Sequence, residues 1–206
     1  MKNWRFVLAI LAFAVVALSS NAATAERFRR PFEANINFNY GFDNNSGGGC
    51  TDFNCGSRCY DGHSGTDFPL SVGTVVLAPA DGVVTATHNG CSDYGYLGNT
   101  CGGRCGNYVQ IEYSDGNRTI YCHLQNGSLL VSTGDRVTCG QAVGRSASSG
   151  NSTGPHLHFG WRRSGVNSDS HSGSCTTSPG AWVDQRAYDQ APPADCECDA
   201  SSETCN

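Results

Sequence analysis

Between about residues 74 and 161, short runs alternate apolar and polar positions with a period of two, the pattern of half-buried β-strands. The clearest run is Gly154-Pro155-His156-Leu157-His158-Phe159-Gly160-Trp161. A strand there sets His156 and His158 on one face and Leu157, Phe159 and Trp161 on the other. The apolar face anchors in a core while two imidazoles project side by side. Residues 74–77 make a short strand, and the turn Pro79-Ala80-Asp81-Gly82 leads into another over 82–88, closed by His88. The turn Ser114-Asp115-Gly116-Asn117 joins strands over 108–113 and 118–124. On the second of these, Tyr121 and His123 share a face and Cys122 points away. Further short strands are expected over 129–132, 136–138 and 142–144. No long 3.6-residue period and no internal repeat interrupts this, so the fold class is mainly β, a compact antiparallel sheet or barrel-like structure with disulfide-rich loops.

The exception to the alternation is the beginning of the chain. Lys2 and Arg5 precede an unbroken apolar run over 6–18, and Ala23-Thr24-Ala25 fits a small-residue cleavage site. That pattern reads as a secretory signal peptide over 1–25, too short for a transmembrane helix, and a retained anchor is the rival reading. The remaining 181 residues suit one domain with a sizeable core, and no later segment is apolar enough to span a membrane. They carry 11 arginines and no lysine against 18 Asp and Glu, a formal charge of −7. This excess of acid argues against a nucleic-acid partner. All 12 cysteines lie beyond residue 25, and an even count in an exported chain implies disulfides. Cys55-x3-Cys59 and Cys101-x3-Cys105 are loose matches to zinc-binding clusters and Cys196-x-Cys198 is a poor one, a reading that an oxidising compartment disfavours.

Several stretches fall outside the strand pattern. Residues 26–49, with Arg29-Arg30-Pro31 and then Asn44-Asn45-Ser46-Gly47-Gly48-Gly49, read as a flexible N-terminal arm. Residues 89–106 are a long Gly-, Asn- and Cys-rich insertion, in which Tyr94 and Tyr96 are placed either to line a groove or simply to pack on the loop. His88 has no partner spacing and is expected to be structural or exposed. His171 sits in a Ser- and Gly-rich loop and is expected to be solvated, and Trp182 and Tyr188 to tuck back onto the sheet. Residues 191–206, with Ala191-Pro192-Pro193 and three cysteines, read as a Cys-rich tail.

The candidate chemistry is a metal site. Gly62-His63-Ser64-Gly65-Thr66-Asp67 places a histidine and an aspartate four apart on a loop entering a strand, where both reach one ion. Catalytic zinc sites use three protein ligands and leave one position open. His63, Asp67 and one histidine of the 156/158 pair supply the three. The other histidine of that pair and His123 remain free beside the metal. Such an arrangement suits hydrolysis, since the ion brings the pKa of water toward about 7 while free imidazoles move protons.

Three motifs in order, His63-x3-Asp67, Tyr121-x-His123-Leu124 and Ser152-Thr153-Gly154-Pro155-His156-Leu157-His158-Phe159, resemble the lysostaphin, LytM and β-lytic family of zinc endopeptidases. Intervening strings such as Ala78-Pro79-Ala80-Asp81-Gly82 and Gly106-Asn107-Tyr108-Val109 look similar, so the likeness covers about residues 61–163. The resemblance implies a barrel-like antiparallel sheet of the duplicated hybrid motif type. It makes 50–190 a zinc endopeptidase domain with one zinc ion held by His63, Asp67 and His158. It makes His123 and His156 catalytic and Tyr121 an auxiliary, substrate-binding residue. The implied substrate is bacterial peptidoglycan, cut at a cross-bridge or a stem peptide. The chain is then a secreted or periplasmic enzyme, a monomer without membrane attachment once the signal is removed. The alternative is a catalytically inactive zinc-containing binding or regulatory module of the same fold. The cysteine content, the 89–106 insertion and the tail depart from the family pattern.

Overall fold

The computed structural model describes residues 27–197. The signal segment expected over 1–25, together with Cys198 and Cys205 of the tail, lies outside the described residues. Nine strands follow in order: β1 (Thr66–Phe68), β2 (Val75–Leu77), β3 (Gly82–His88), β4 (Asn107–Glu112), β5 (Arg118–Leu124), β6 (Arg136–Val137), β7 (Ala142–Arg145), β8 (Leu157–Arg163) and β9 (Val166–Ser168). The described residues contain no α-helix, only a 3₁₀ turn at Cys101–Arg104. This is the mainly antiparallel β class that the alternation implies. Residues 129–132 are the one expected strand that does not form. They run as an arm beside β7, where the Leu130 amide bonds the Val143 carbonyl and Val131 is buried.

Seven strands make one antiparallel sheet in the order β1-β8-β5-β4-β3-β6, with β9 also on β8. β2 and β7 form a separate ribbon. The register explains which side chains reach which face. Phe159 of β8 lies opposite Thr66 of β1 and opposite Tyr121 of β5. His158 lies opposite Asp67 and opposite Cys122. Directly opposed residues in an antiparallel pair share a face. Phe159 and Tyr121 therefore point into the core with Leu157 and Trp161, whereas His158, Asp67 and Cys122 point to the other side.

Residues 27–49 are not a loose arm. Phe28, Phe32 and Phe38 are fully buried in the main core. Phe28 bridges Trp182 through backbone hydrogen bonds to Ala181 and Val183 and packs on Tyr113 at 4.7 Å. Arg30 spends its guanidinium on backbone carbonyls of Phe32, Glu33 and Pro192. Burying one such aromatic contributes roughly 1.5–3 kcal/mol, which outweighs the glycine-rich lead-in at 47–49. His171 differs from expectation for the same reason. It is buried, stacked on Phe53 at 4.6 Å and edged by Trp182, so it is a core ring and not a solvated one.

Among the described residues, five disulfides link Cys50 to Cys59, Cys55 to Cys175, Cys91 to Cys101, Cys105 to Cys122 and Cys139 to Cys196. The first two tie the segment before β1 to itself and to the loop after β9. The next two lock the 89–106 insertion to itself and to β5. The last holds the tail against the turn after β6.

Candidate metal centre

β1 and β8 build the centre because their register sets Asp67 beside His158. Asp67 Oδ1 lies 2.9 Å from His158 Nδ1 and 3.1 Å from His63 Nε2, and those two nitrogens are 3.1 Å apart. A tetrahedral ion with bonds of about 2.1 Å separates its ligand atoms by about 3.4 Å. Three lone-pair donors, one of them a carboxylate, thus converge at the spacing a divalent cation needs. Glycine is required nearby: a Cβ on Gly65 would come 2.7 Å from the His158 ring and from the Phe159 carbonyl.

The backbone outside β1 and β8 fixes the tautomers. His63 Nδ1 is 2.6 Å from the carbonyl oxygen of Gly41, an acceptor only, so that nitrogen carries the hydrogen and Nε2 presents its lone pair. Residues 39–43 run beside the site as an added edge: the Asn39 amide bonds Asp67, the Asp67 amide bonds Tyr40 and the Asp43 amide bonds His63. Asp43 accepts from the amides of Asn45, Thr51 and Gly62. Tyr60 stacks on His63 at 4.1 Å, and its hydroxyl donates to Asp67 Oδ2 at 3.3 Å. Burial pushes up the pKa of the Asp67 carboxyl, but the imidazoles of His158 and His63 beside it outweigh that and hold the group well below the usual carboxylate range. Burial likewise lowers His158, so its neutral, ligating form is favoured.

His123 and His156 face each other with ring centroids 4.5 Å apart, and His123 lies 6.1 Å from the His158 ring. Each Nδ1 donates to a backbone carbonyl, His123 to Ser149 at 2.6 Å and His156 to Gly154 at 2.8 Å. Both therefore offer an Nε2 lone pair, and that of His156 is 3.7 Å from Asp67 Oδ1. Burial, with the imidazoles of His156 and His158 beside it, pushes His123 down to about 3, so the ring is neutral near pH 7.

The structure brings together His63, Asp67, His123, His156 and His158, and it leaves Tyr121 out. The Tyr121 phenol is fully buried, accepting from Thr119 Oγ1 at 2.8 Å and sharing a hydrogen bond with Tyr113 OH at 3.3 Å, so it supports the core beneath β5. Nor do Tyr121 and His123 share a face. Asn107 pairs with Leu124 but Val109 pairs with Tyr121, so β5 carries one extra residue, a β-bulge at Cys122 and His123. His123 has φ of 63°, which breaks the alternation and turns its ring from the core side to the metal side. Sequence reasoning passed over Gly41, Asp43, Tyr60 and Ser149, and the part that the Gly154 carbonyl plays. Three of them act through carbonyl oxygens, which every residue type has, so no side-chain signal marks them.

A second group, His88 with Cys91 and Cys101, also lies within ligating distance. Its two sulfurs are bonded to each other, and His88 stacks on Tyr108 at 5.9 Å.

An antiparallel sheet with a two-histidine, one-aspartate cluster and two unligated imidazoles beside it defines a metallopeptidase-like centre. The chain belongs to peptidase family M23, whose model matches residues 61–170. It is 40% identical over 97 residues to peptidoglycan DD-endopeptidase ShyA of Vibrio cholerae, a match covering 47% of this chain and 19% of that protein. It is 41% identical over 98 residues to glycyl-glycine endopeptidase ALE-1 of Staphylococcus capitis, covering 47% and 24%. The chain thus spans about a fifth to a quarter of these curated relatives. Among solved structures, a zinc containing peptidase from Vibrio cholerae superimposes with a TM-score of 0.52 at 26% identity, covering 70% of this chain and 39% of that one.

Proposed function

We propose that this chain is an exported zinc endopeptidase that hydrolyses peptide bonds in bacterial peptidoglycan. The observation that carries the reading is the convergence of His63 Nε2, Asp67 Oδ1 and His158 Nδ1 beside the free Nε2 atoms of His123 and His156. Two imidazoles and one carboxylate are a donor set that suits zinc, with a fourth position left for water or substrate. Bound there, zinc supplies Lewis acidity and lowers the pKa of water toward about 7. The chain's own residues do the rest. The bonds to Gly41, Ser149 and Gly154 hold three rings in one tautomer, so no reorientation precedes proton transfer. One of the two free imidazoles takes a proton from the attacking water at Nε2. The imidazolium so formed is then a donor for the oxyanion or the leaving amine.

Export is supported by the five disulfides, which persist in oxidising compartments. No helix among the described residues is long and apolar enough to cross a membrane. A secreted or periplasmic location agrees with these features, and the proposal takes the chain as a monomer that acts on peptidoglycan peptides, its excess of acid arguing against a nucleic-acid partner. The relatives' names support either a D-amino-acid or a glycine-rich bond as the target. The test is incubation of the chain lacking residues 1–25 with purified cell walls, with and without a zinc chelator, followed by mass analysis of released fragments. Chelator-sensitive release is expected, and the fragment masses identify the bond. Stoichiometric zinc without any cleavage would instead favour the inactive module.

A further inference from the structure

His123 reaches the metal side of the sheet only because its backbone is left-handed, with φ of 63°. That region disfavours any residue with a Cβ, so neighbours must hold it. The holding contacts come from outside β5. The His123 amide donates to the Cys105 carbonyl at 2.8 Å, and its own carbonyl accepts from Ala147 at 2.9 Å. The residue just before it, Cys122, is bonded through sulfur to the same Cys105. Cys105 closes the 89–106 insertion, which in turn presses on the segment that receives the His123 ring. A Cβ on Gly106 would come 2.3 Å from Ser149 Oγ, and one on Gly95 would come 1.9 Å from the Gly150 carbonyl. The Gly95 amide bonds Ser148, the Asn107 amide bonds Ser149 Oγ, and the Asn151 amide bonds the Arg104 carbonyl. The insertion thus grips His123 at its backbone through Cys105 and at its ring through Ser149.

We propose that Cys105 is a positioning residue for His123, acting through its disulfide to Cys122 and its carbonyl on the His123 amide. The kinetic part of this inference rests on His123 being a catalytic group, and the geometric part does not. A purely structural role makes a different forecast. The Cys139–Cys196 disulfide closes 57 residues and Cys105–Cys122 only 17, so loop entropy makes the former at least as costly to remove.

The experiment compares the zinc-loaded chain lacking residues 1–25 with its Cys105→Ala/Cys122→Ala and Cys139→Ala/Cys196→Ala variants. It reads zinc stoichiometry, kcat and KM on peptidoglycan fragments, and the ¹H–¹⁵N imidazole signals of His123. In the first variant, one zinc and an unchanged KM are expected, with kcat lower by roughly 100-fold, the scale of an ångström-size misplacement. The His123 Nδ1–H signal moves or broadens. The second variant behaves as the parent does. His123 signals and kcat in the first variant equal to those of the second would overturn the proposal. Should the first variant not fold, Ser149→Ala, which removes the Oγ between the Asn107 amide and the Leu124 carbonyl, is read by the same signals. A shift there upholds the grip from the insertion, and unchanged signals overturn it. If the parent cleaves nothing, the catalytic reading of His123 fails by itself, and the imidazole signals still decide the positioning.

Discussion

His63 donates its Nδ1 hydrogen to the carbonyl oxygen of Gly41, 22 residues earlier and 2.6 Å away. One of the three candidate metal ligands is therefore oriented by a segment that lies before the residues matched by the family model. Asp43 locks that segment, since its carboxylate gathers three amides and one of them, Gly62, precedes the ligand. Removing partners of this kind commonly weakens metal binding by about 10–100-fold. Asp43→Ala is expected to lower zinc affinity on that scale while the fold persists. Competition with a chromophoric chelator measures it, and an unchanged affinity would show that the Gly41 contact survives without its lock.

The same segment is an integral part of the core. Phe28 is fully buried between Tyr113, Phe159 and Trp161. Phe28→Ala removes a ring that the surrounding aromatics cannot replace, and such changes cost about 3–5 kcal/mol. Chemical denaturation of the disulfide-intact protein checks this. A loss below about 1 kcal/mol would mean that the segment packs far less firmly than its burial implies.

Asp52 contributes to the pH dependence of stability in acid. Burial raises its pKa, but the Tyr188 hydroxyl and the amides of Gly56, Arg58 and Asn54 outweigh that and leave it below the ordinary value. A carboxyl lowered on folding stabilises the protein above its unfolded pKa of about 3.9, and that contribution fades as pH falls through the folded value. Asp52→Asn should thus be less stable than the parent near neutral pH and lose less on going from about pH 5 to about pH 2. Thermal melts across that range read the two slopes, and parallel slopes would remove Asp52 from the account.

Much of this arrangement was legible in the sequence, because period-two alternation and side-chain chemistry are local. Residues 82–88 and 118–124 read as strands and are β3 and β5. The five polar site residues were legible as motifs, and the sheet brings them together. What alternation cannot show is where it is broken. Tyr121-Cys122-His123-Leu124 contains no glycine to announce a left-handed residue, so the bulge that separates Tyr121 from His123 is set by tertiary contacts with Cys105 and Ala147. The polar neighbours of His171 and the Arg- and Gly-rich flanks of Phe28 hide the burial of both rings. Their burial depends on Phe53 and Trp182, which are distant along the chain.

His156 and His158 are two residues apart yet play separable parts. His158→Ala removes an atom of the three-donor cluster, whereas His156→Ala leaves His63, Asp67 and His158 in place. The first is expected to abolish stoichiometric zinc binding and the second to retain it, with turnover lost in both. Metal analysis after gel filtration checks the pair, and equal zinc loss in both variants would contradict the assignment of ligands.

The proposed function makes the His63, Asp67 and His158 cluster a zinc centre that cleaves peptidoglycan peptides. The most direct measurement follows fragment release from purified peptidoglycan by the chain lacking residues 1–25, before chelation, after chelation and after zinc is restored. Release is expected to stop on chelation, to return with zinc and to be absent in His123→Ala despite one bound zinc per chain. Release that persists in the fully metal-free protein, or in His123→Ala at the parent's rate, would contradict it.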